Sequence, residues 1–328
     1  MFSDHLQDTI KDGSETEMAP TRNGYGEGLL EAGKRDERVV ALCCDLTEST
    51  RTHHFAEAFP ERFIQVGVAE QNLASVGSGM AAMGKVPFIS SYAMFNPGRN
   101  WEQIRTTIAY NDANVKIIGA HSGVSVGPDG ATHQAIEDIA IMRAIPNMTV
   151  IAPADVHEAR KATLAAAKHT GPVYIRLGRS ATPVVTTEAS PFAIGQAERL
   201  FHKDDAHERS VGIIATGALL YNSLRAAQEL QSAGIGASVL HLPTIKPLDT
   251  EAVAAFATDH DALVTVEEHQ VAGGMGSAVA EFLSETNPTK ITRIGVRDQF
   301  GQSGEPAELL AHYGMDVPAI VAAGKHSV

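Results

Sequence analysis

A single glutamate, Glu70, stands where a β-branched run gives way to a helix of small residues in "FIQVGVAEQNLASVGSGMAAMG", residues 63–84. A carboxylate in the first turn of a helix is stabilised by the helix dipole, by about 0.3–1 kcal/mol. A carboxylic acid at the end of a buried strand can instead take part in acid–base chemistry. Which of these two roles Glu70 has depends on the residues that lie close to it in the fold.

Polar or aromatic side chains also follow four other predicted strands. They are Asp45 and Ser49 in "CCDLTEST", Tyr92 and Phe95 in "SSYAMFNPGRNWEQIR", His121, Asp129 and His133 in "AHSGVSVGPDGATHQAIED", and Arg179 in "RLGRS". Each segment alone has a simpler explanation: a turn, core packing of aromatic rings, or a glycine-rich surface loop. Together they favour a binding or catalytic site, because five strand ends meet at one edge of a sheet.

A metal site in the histidine-containing loop is a further alternative. His121, Asp129 and His133 are separated by 8 and 4 positions, a spacing that matches no common ligand pattern. The sequence therefore predicts no metal ligands in this chain.

The elements that must position these residues are short β-branched strands separated by helices. The predicted strands are residues 38–44, 86–92, 115–121, 148–153, 171–177, 210–217, 236–242, 262–268 and 291–296. Asp155 and Glu158 form a capping-box pattern at the start of the clearest helix, and Pro97 suits the start of another. This alternation predicts mostly parallel sheets covered by helices, which bind ligands beyond the carboxyl ends of their strands.

The pattern divides the chain into two α/β domains in tandem, each a mostly parallel sheet flanked by helices. Residues 21–180 form the first domain and 193–328 the second, after an N-terminal extension at 1–20. Residues 181–192 contain two prolines, several Ser and Thr, and no helical period. This composition predicts an interdomain linker.

The overall composition is typical of a soluble globular protein and excludes several classes of function. The 328 residues carry a formal net charge of −13, which disfavours a surface for nucleic acid or anionic membrane. Cys43 and Cys44 are the only cysteines, and adjacent cysteines rarely form a disulfide. The sequence has no signal-peptide core or membrane-spanning apolar run, so a cytoplasmic location is expected.

Several of these motifs together resemble the transketolase family. "DLTEST", "GVAEQN", "SYAMFNPGRNWEQIR", "GPDGATHQAIEDIA", "MTVIAPAD" and "GPVYIRLGR" are similar to its pyrimidine-binding domain, and "IIATG" and "VEEH…GGMGSAVAE" to its C-terminal domain. The resemblance runs in order from about Thr21 to the end of the sequence. The chain looks most like the C-terminal subunit of a split, two-subunit transketolase.

The resemblance implies thiamine diphosphate as the cofactor and Glu70 as a catalytic residue. In the family a glutamic acid hydrogen-bonds to N1′ of the aminopyrimidine, which removes the proton from C2 of the thiazolium ring. Apolar surroundings would favour the protonated acid that this bond requires. Tyr92 and Phe95 match residues that pack against the pyrimidine, and Asp45 is assigned to the cofactor site too. Gly98 stands where the family usually has a further aromatic residue.

The resemblance also implies a substrate site. Asp129 and His133 match residues that contact sugar hydroxyls, and His133 is also assigned a catalytic role. The positions matched to the phosphate or remote end of the substrate are Arg22, Ser49, His121 and Arg179. Arginine suits an oxyanion because its guanidinium can donate two parallel hydrogen bonds.

The "GDG…N" motif, through which the family binds a divalent metal and the diphosphate, is not found in this sequence. The resemblance therefore implies a separate N-terminal subunit that holds Mg²⁺ or Ca²⁺ and shares the cofactor, in an α2β2 heterotetramer. Self-association through both domains is also expected. The small residues of helix 70–83 suit either contact between subunits or tight packing within one domain.

The predicted reaction is transfer of a two-carbon ketol unit from a ketose, expected to be phosphorylated, to an aldose. The beta subunit of a 2-oxo acid dehydrogenase and a deoxyxylulose-phosphate synthase-like enzyme are the related alternatives. "FGQSGEPAELLAHYG" suggests the second of these, whereas "DGATHQAIED" with "IRLGR" favours the transketolase. A non-catalytic regulatory or scaffolding subunit is disfavoured because Glu70, Asp129 and His133 are all present.

Overall fold

The computed structural model describes residues 1–204 and 206–328. The strands are β1 (Met18–Ala19), β2 (Val39–Cys43), β3 (Phe63–Gln65), β4 (Val86–Tyr92), β5 (Lys116–Ala120), β6 (Thr149–Ile151), β7 (Val173–Arg176), β8 (Thr182–Pro183), β9 (Glu198–Phe201), β10 (Ser210–Ala215), β11 (Gly236–His241), β12 (Thr244–Lys246), β13 (Ala262–Gln270) and β14 (Ile291–Val296). The α-helices are α1 (Asp8–Asp12), α2 (Thr21–Arg35), α3 (His53–Ala58), α4 (Glu70–Ala82), α5 (Trp101–Gln103), α6 (Asp138–Arg143), α7 (Val156–Lys168), α8 (Leu220–Ser232), α9 (Thr250–Thr258), α10 (Met275–Thr286), α11 (Pro306–His312) and α12 (Val317–Ser327). None of the described helices is both long and apolar enough to cross a membrane.

The first sheet has seven strands in the order β12-β6-β7-β5-β4-β2-β3. All neighbours pair in parallel except β12, which runs antiparallel to β6. Strands β2, β5 and β7 are buried along their whole length, as expected where helices cover both faces of a sheet. The carboxyl ends of β2, β4, β5 and β7 therefore bring the residues that follow them to one edge.

The second sheet has the order β14-β13-β10-β11-β9, and only β9 is antiparallel to its neighbour. Its core is formed largely by β-branched residues and leucines from β10, β11, β13 and the helices α8 and α12. The predicted fold, two tandem α/β domains with mostly parallel sheets, is confirmed. Strand β12 belongs to the second half of the sequence yet completes the first sheet.

The N-terminal segment and the stretch predicted as a linker both pack against the domains. Strand β8 lies inside that stretch and pairs with β1. Leu6 and Ile10 are buried in the core of the second sheet. Oδ2 of Asp155 accepts hydrogen bonds from the amides of Val185 and Thr186, at 2.8 and 2.5 Å, and so holds the backbone there in place.

The helix predicted to begin at Pro97 begins instead at Trp101, and it continues as a π-helical turn at Ile104–Ala109. The side-chain amide of Asn96 donates to carbonyl oxygens in β4 and β5, at 3.0 and 3.1 Å. These bonds hold residues 93–100 against the sheet as a series of turns. The sheet contact thus overrides the local preference of proline for a helix start.

A buried ion pair joins the two domains. Nε2 of His241, at the end of β11, lies 2.8 Å from Oε2 of Glu158 in α7, and Nδ1 lies 3.3 Å from the carbonyl oxygen of Ala215. Burial alone lowers the pKa of His241, but the charge and hydrogen bonds of its partners outweigh burial and raise that pKa above its ordinary value. Both ring nitrogens face acceptors, which favours the imidazolium form.

This pair is expected to stabilise the protein more at low pH than at high pH. A histidine whose pKa is raised by folding contributes fully below the unfolded-state value of about 6.5 and loses that contribution as the pH rises through the folded-state pKa. The free energy of unfolding should therefore differ most between wild type and His241→Gln near pH 6, and less toward pH 9. Urea unfolding at both pH values measures this difference, with the exposed His326→Gln as control. A difference that does not change with pH would contradict a charged pair.

Candidate active site

Glu70 begins α4 beside the carboxyl end of β4, and its side chain is 1% exposed. Oε1 accepts a hydrogen bond from the hydroxyl of Ser91 at 2.9 Å, and Oε2 accepts one from the guanidinium of Arg99 at 2.6 Å. The side-chain amide of Asn100 donates to the backbone carbonyl of Glu70 at 2.9 Å. The strand end and the turns after it therefore fix both the carboxyl group and the start of the helix.

Arg99 is not among the residues predicted for the site, and it corrects the surroundings predicted for Glu70. The sequence predicts apolar neighbours that favour a protonated acid, whereas the structure shows an ion pair. The guanidinium lies 4.6 Å from the centre of the Phe95 ring, because Arg99 follows Phe95 by one turn of chain. The sequence could have indicated Arg99 as a site residue, because it is a basic residue four positions after Phe95. Arg99 is 43% exposed, so the pair can open toward solvent on its side.

The predicted aromatic and histidine residues form one cluster. The ring centres of Tyr92 and Phe95 are 6.4 Å apart, at an interplanar angle of 24°. His121 stacks on Tyr92 at 3.9 Å, and His133 meets Phe95 edge-on at 5.4 Å. The residues assigned to the cofactor and those assigned to the substrate are thus in direct contact at the strand ends.

The presence of glycine at position 98, where the family usually has an aromatic residue, has a steric explanation. A Cβ atom at this position would lie 1.9 Å from the carbonyl oxygen of Met94, so no side chain fits without a change of the turn. The turns at residues 93–100 therefore exclude a third aromatic residue at this position.

Three arginines lie near enough to His121 to act on its charge. Nη1 of Arg22 lies 3.4 Å from Nε2 of His121 and donates to the carbonyl oxygen of Ser49 at 2.8 Å. Burial, and then the charges of Arg22, Arg179 and Arg51, lower the pKa of His121 to about 3, so the ring is neutral at physiological pH. This local positive charge, in a chain of net charge −13, favours an anionic ligand.

Arg51 is a second residue that sequence reasoning misses. Its Nε donates to Oδ1 of Asn23 at 2.8 Å, and its backbone is left-handed, with a φ of 65°. The sequence could have indicated Arg51 as a site residue, because it lies only two positions after Ser49. Nδ1 of His121 and Nε of Arg22 are buried without a hydrogen-bond partner among the described residues. Buried polar atoms without a partner are rare, so these two mark the arginine end of the site as a candidate binding position.

Four further predicted residues differ in how the structure holds their side chains. Ser49 contributes its backbone carbonyl, not its hydroxyl, and Arg179 donates to the carbonyl oxygen of Val126 at 2.9 Å. Asp45 is exposed, and its backbone amide rather than its carboxylate is hydrogen-bonded. Asp129 is exposed and makes no side-chain hydrogen bond within the described ranges. Their functional roles stay predictions.

The arrangement offers three kinds of chemistry. The carboxyl group of Glu70 can share a proton, the rings of Tyr92 and Phe95 can pack against a flat ring, and the arginines can bind an oxyanion. In the part of the chain that the structure describes, no group of three or more His, Cys, Asp or Glu side chains is placed to hold a metal ion.

The sequence that forms this site is similar to that of known proteins. The family model described as "Transketolase, pyrimidine binding domain" matches residues 17–185, and that described as "Transketolase, C-terminal domain" matches residues 202–320. The 6-deoxy-6-sulfo-D-fructose transketolase subunit of Clostridium sp. strain MSTE9 is 42% identical over 302 residues, which cover 92% of this chain and 92% of that protein. An apulose-4-phosphate transketolase subunit of Phocaeicola vulgatus is 36% identical over 304 residues, covering 92% of this chain and 96% of that protein.

A solved structure described as "Split gene transketolase, inactive beta4 tetramer" shows the same fold. It superposes with a TM-score of 0.87 at 44% sequence identity, covering 94% of this chain and 98% of that chain. The resemblance first indicated by motifs such as "GVAEQN" is thus confirmed over nearly the whole length of the sequence. The chain belongs to the transketolase family and carries its pyrimidine-binding domain followed by its C-terminal domain.

Proposed function

We propose that this chain is the C-terminal subunit of a heteromeric, thiamine diphosphate-dependent transketolase. It moves a two-carbon ketol unit from an anionic ketose to an aldose. The observation that carries the proposal is the buried carboxyl group of Glu70, which Ser91 and Arg99 hold beside the rings of Tyr92 and Phe95. An aminopyrimidine needs such an acid for its ring nitrogen and such a flat apolar surface for its ring.

The described residues fit the pyrimidine end of the cofactor. Glu70 would hold N1′ through a hydrogen bond, and Tyr92 and Phe95 would pack against the ring. Arg99 is 43% exposed, and its movement toward solvent would free Oε2 of Glu70 for the ring nitrogen. When bound, thiamine diphosphate supplies the nucleophilic carbon of the reaction.

In this proposal each residue of the candidate site has a defined role. Glu70 holds a proton at N1′ and exchanges it, and its burial keeps water from doing so instead. His133 lies against Phe95 and would exchange protons with a sugar hydroxyl. His121 is neutral, so it orients the substrate by hydrogen bonding while the arginines supply the charge. Asp45 and Asp129 would contact the cofactor and the sugar, respectively, once these are bound.

The partner in this proposal is an N-terminal transketolase subunit that holds the diphosphate through Mg²⁺ or Ca²⁺, in an α2β2 assembly. The two relatives above are named as subunits, which supports a second chain. Helix α4 supports it too. Val68 and Met83, which flank the helix, are 70% and 83% exposed, and a Cβ at Gly79 would meet open space. Gly77 instead packs against Ile89, so the small residues of this helix serve both the core and an open face.

The arginine cluster supports a donor with a phosphate or sulfonate at its remote end. Arg179→Ala is expected to raise the KM for such a ketose by roughly 10–100-fold, since a hydrogen bond to a charged group is worth about 1.5–3 kcal/mol. The KM for an uncharged ketose should change little. Steady-state kinetics with both donors measure the contrast, with the exposed Arg209→Ala as control. An equal loss with both donors would contradict an anion-binding role.

A donor panel tests the proposed function directly. The chain, its N-terminal partner, thiamine diphosphate and Mg²⁺ are combined with phosphorylated, sulfonated or uncharged ketoses and one aldose acceptor. The expected result is an aldose two carbons shorter than the anionic donor and an acceptor two carbons longer. Turnover of 2-oxo acids without ketol transfer would overturn the proposal in favour of a 2-oxo acid dehydrogenase.

A further inference from the structure

The loop between His121 and His133 is held by a carboxylate from the other domain. Glu268, on β13 of the second sheet, is 7% exposed, and its Oε1 accepts a hydrogen bond from the backbone amide of Ser125 at 2.6 Å. A buried carboxylate is costly unless hydrogen bonds satisfy it. This one points out of its own domain and into the loop that carries both histidines of the site.

The loop backbone is shaped around that carboxylate. Gly123 has a left-handed φ of 81°, and a Cβ at this position would lie 2.3 Å from Oε1 of Glu268. Only glycine fits this position without displacing Glu268 or straining the backbone. The contact is therefore a close approach between two domains, made by a side chain that is itself buried.

The Ser125 peptide connects Glu268 to Arg179. Its amide is held by Glu268, and its carbonyl oxygen accepts a hydrogen bond from the hydroxyl of Ser180 at 2.7 Å. The next carbonyl oxygen, that of Val126, accepts from Nη1 of Arg179 at 2.9 Å. A change at Glu268 thus reaches the guanidinium of Arg179 through the backbone of two residues, Ser125 and Val126, and one further hydrogen bond.

Glu268 is itself held at its backbone. Nη2 of Arg176 donates to the carbonyl oxygen of Glu268 at 2.8 Å, and Nε of Arg176 donates to the carboxylate of Asp138 at 2.8 Å. Arg176 ends β7 of the first sheet, so the strand that precedes Arg179 also fixes β13. The second domain is thereby tied to the site edge at two points, the Ser125 amide and the Arg176 guanidinium.

We propose that Glu268 is a positioning residue of this active site: it fixes the Ser125 peptide and, through it, the direction of Arg179 toward the substrate anion. The inference rests on the proposed function, because it assigns Arg179 to the anionic end of the ketose. It gives the C-terminal domain a defined task in substrate binding.

Hydrogen exchange of the full chain without partner or ligand tests the contact. In Glu268→Ala, the 122–128 segment should exchange roughly tenfold faster or more, since the Ser125 amide loses its hydrogen bond to a charged acceptor and the backbone around it is no longer held. Glu268→Gln retains an acceptor oxygen and should restore most of the protection. The matched control is Glu267→Gln on the same strand, whose carboxylate accepts from the amides of Met275 and Gly276 at the start of α10 and does not meet the loop. This control should affect α10 and leave the 122–128 segment unchanged.

Kinetics of the complex reconstituted with the N-terminal subunit, thiamine diphosphate and Mg²⁺ test the consequence. Glu268→Ala should raise the KM for an anionic ketose roughly tenfold with a much smaller change in kcat, whereas Glu267→Gln should change neither. Wild-type exchange in the 122–128 segment of Glu268→Ala, or equal effects of Glu268→Ala and Glu267→Gln, would overturn the proposal. If Glu268→Ala does not fold, the test uses Glu268→Gln instead. This variant should show smaller increases in exchange of the 122–128 segment and in KM, and Glu267→Gln should show neither. If the wild-type complex turns over no donor, the proposed function fails, and the exchange result alone decides the role of Glu268 in the loop.

Discussion

Glu70→Gln is expected to lower kcat for ketol transfer in the reconstituted complex by roughly 10²–10⁴-fold, the usual contribution of a positioned acid or base. Glutamine matches glutamate in size and can still donate a hydrogen bond to N1′, but it cannot give up a proton and take it back. Because the Glu70 side chain is only 1% exposed, water cannot act in its place. The rate at which C2 of bound thiamine diphosphate exchanges its proton with deuterated solvent should fall together with kcat.

The same substitution should leave the fold intact. Arg99, the ion-pair partner, is 43% exposed and can be solvated when the carboxylate is lost. Circular dichroism and urea unfolding check this point. The control is Glu285→Gln, which removes one negative charge from an exposed position of the second domain. Wild-type C2 exchange in Glu70→Gln would remove Glu70 from the proposed role.

The second large effect is the dependence on a partner. The chain by itself is expected to show no measurable ketol transfer and only weak binding of thiamine diphosphate. Its described residues supply an acid and ring contacts for the pyrimidine, whereas the sequence lacks the "GDG…N" motif through which the family binds the metal and the diphosphate. Addition of the N-terminal subunit with Mg²⁺ should restore both binding and turnover.

Titration calorimetry with thiamine diphosphate, with and without the partner and Mg²⁺, measures the binding, and the ketol-transfer assay measures the turnover. The partner alone is the control for activity that does not need this chain. Omission of Mg²⁺ from the complete mixture separates the contribution of the metal from that of the protein contact. Full ketol transfer by the isolated chain would end the proposal of a split cofactor site.

The edge at which the candidate site lies could be predicted because its strands are defined by local pattern. Buried parallel strands consist of short β-branched runs, and the predicted strands 38–44 and 115–121 are observed as Val39–Cys43 and Lys116–Ala120. Residues that follow such strands must share one edge of the sheet. Tyr92 and His121 could therefore be placed together from sequence, and their rings are in fact stacked.

The charged partners of the site could not be found in this way. Arg99 reaches Glu70 only because residues 93–100 form turns held to the sheet, where the sequence suggests a helix. Arg51 takes its direction from a left-handed residue conformation that few side chains adopt. Glu268 meets Ser125 across 143 positions of sequence, and such a contact depends on how two domains pack. Each of these residues owes its place to tertiary structure rather than to a local pattern.

The placement of the N-terminal segment has a consequence for the order of folding on the ribosome. The ring of Phe2 lies 4.9 Å from that of Phe201, and Leu6 and Ile10 complete the core of the second sheet. These residues emerge early, but the sheet that receives them is complete only after Val296 has been synthesised. During translation these leading residues therefore have no complete second sheet to pack against until Val296 has been added. Their docking, a contact of very high sequence separation, becomes one of the last steps and closes the two domains into one unit.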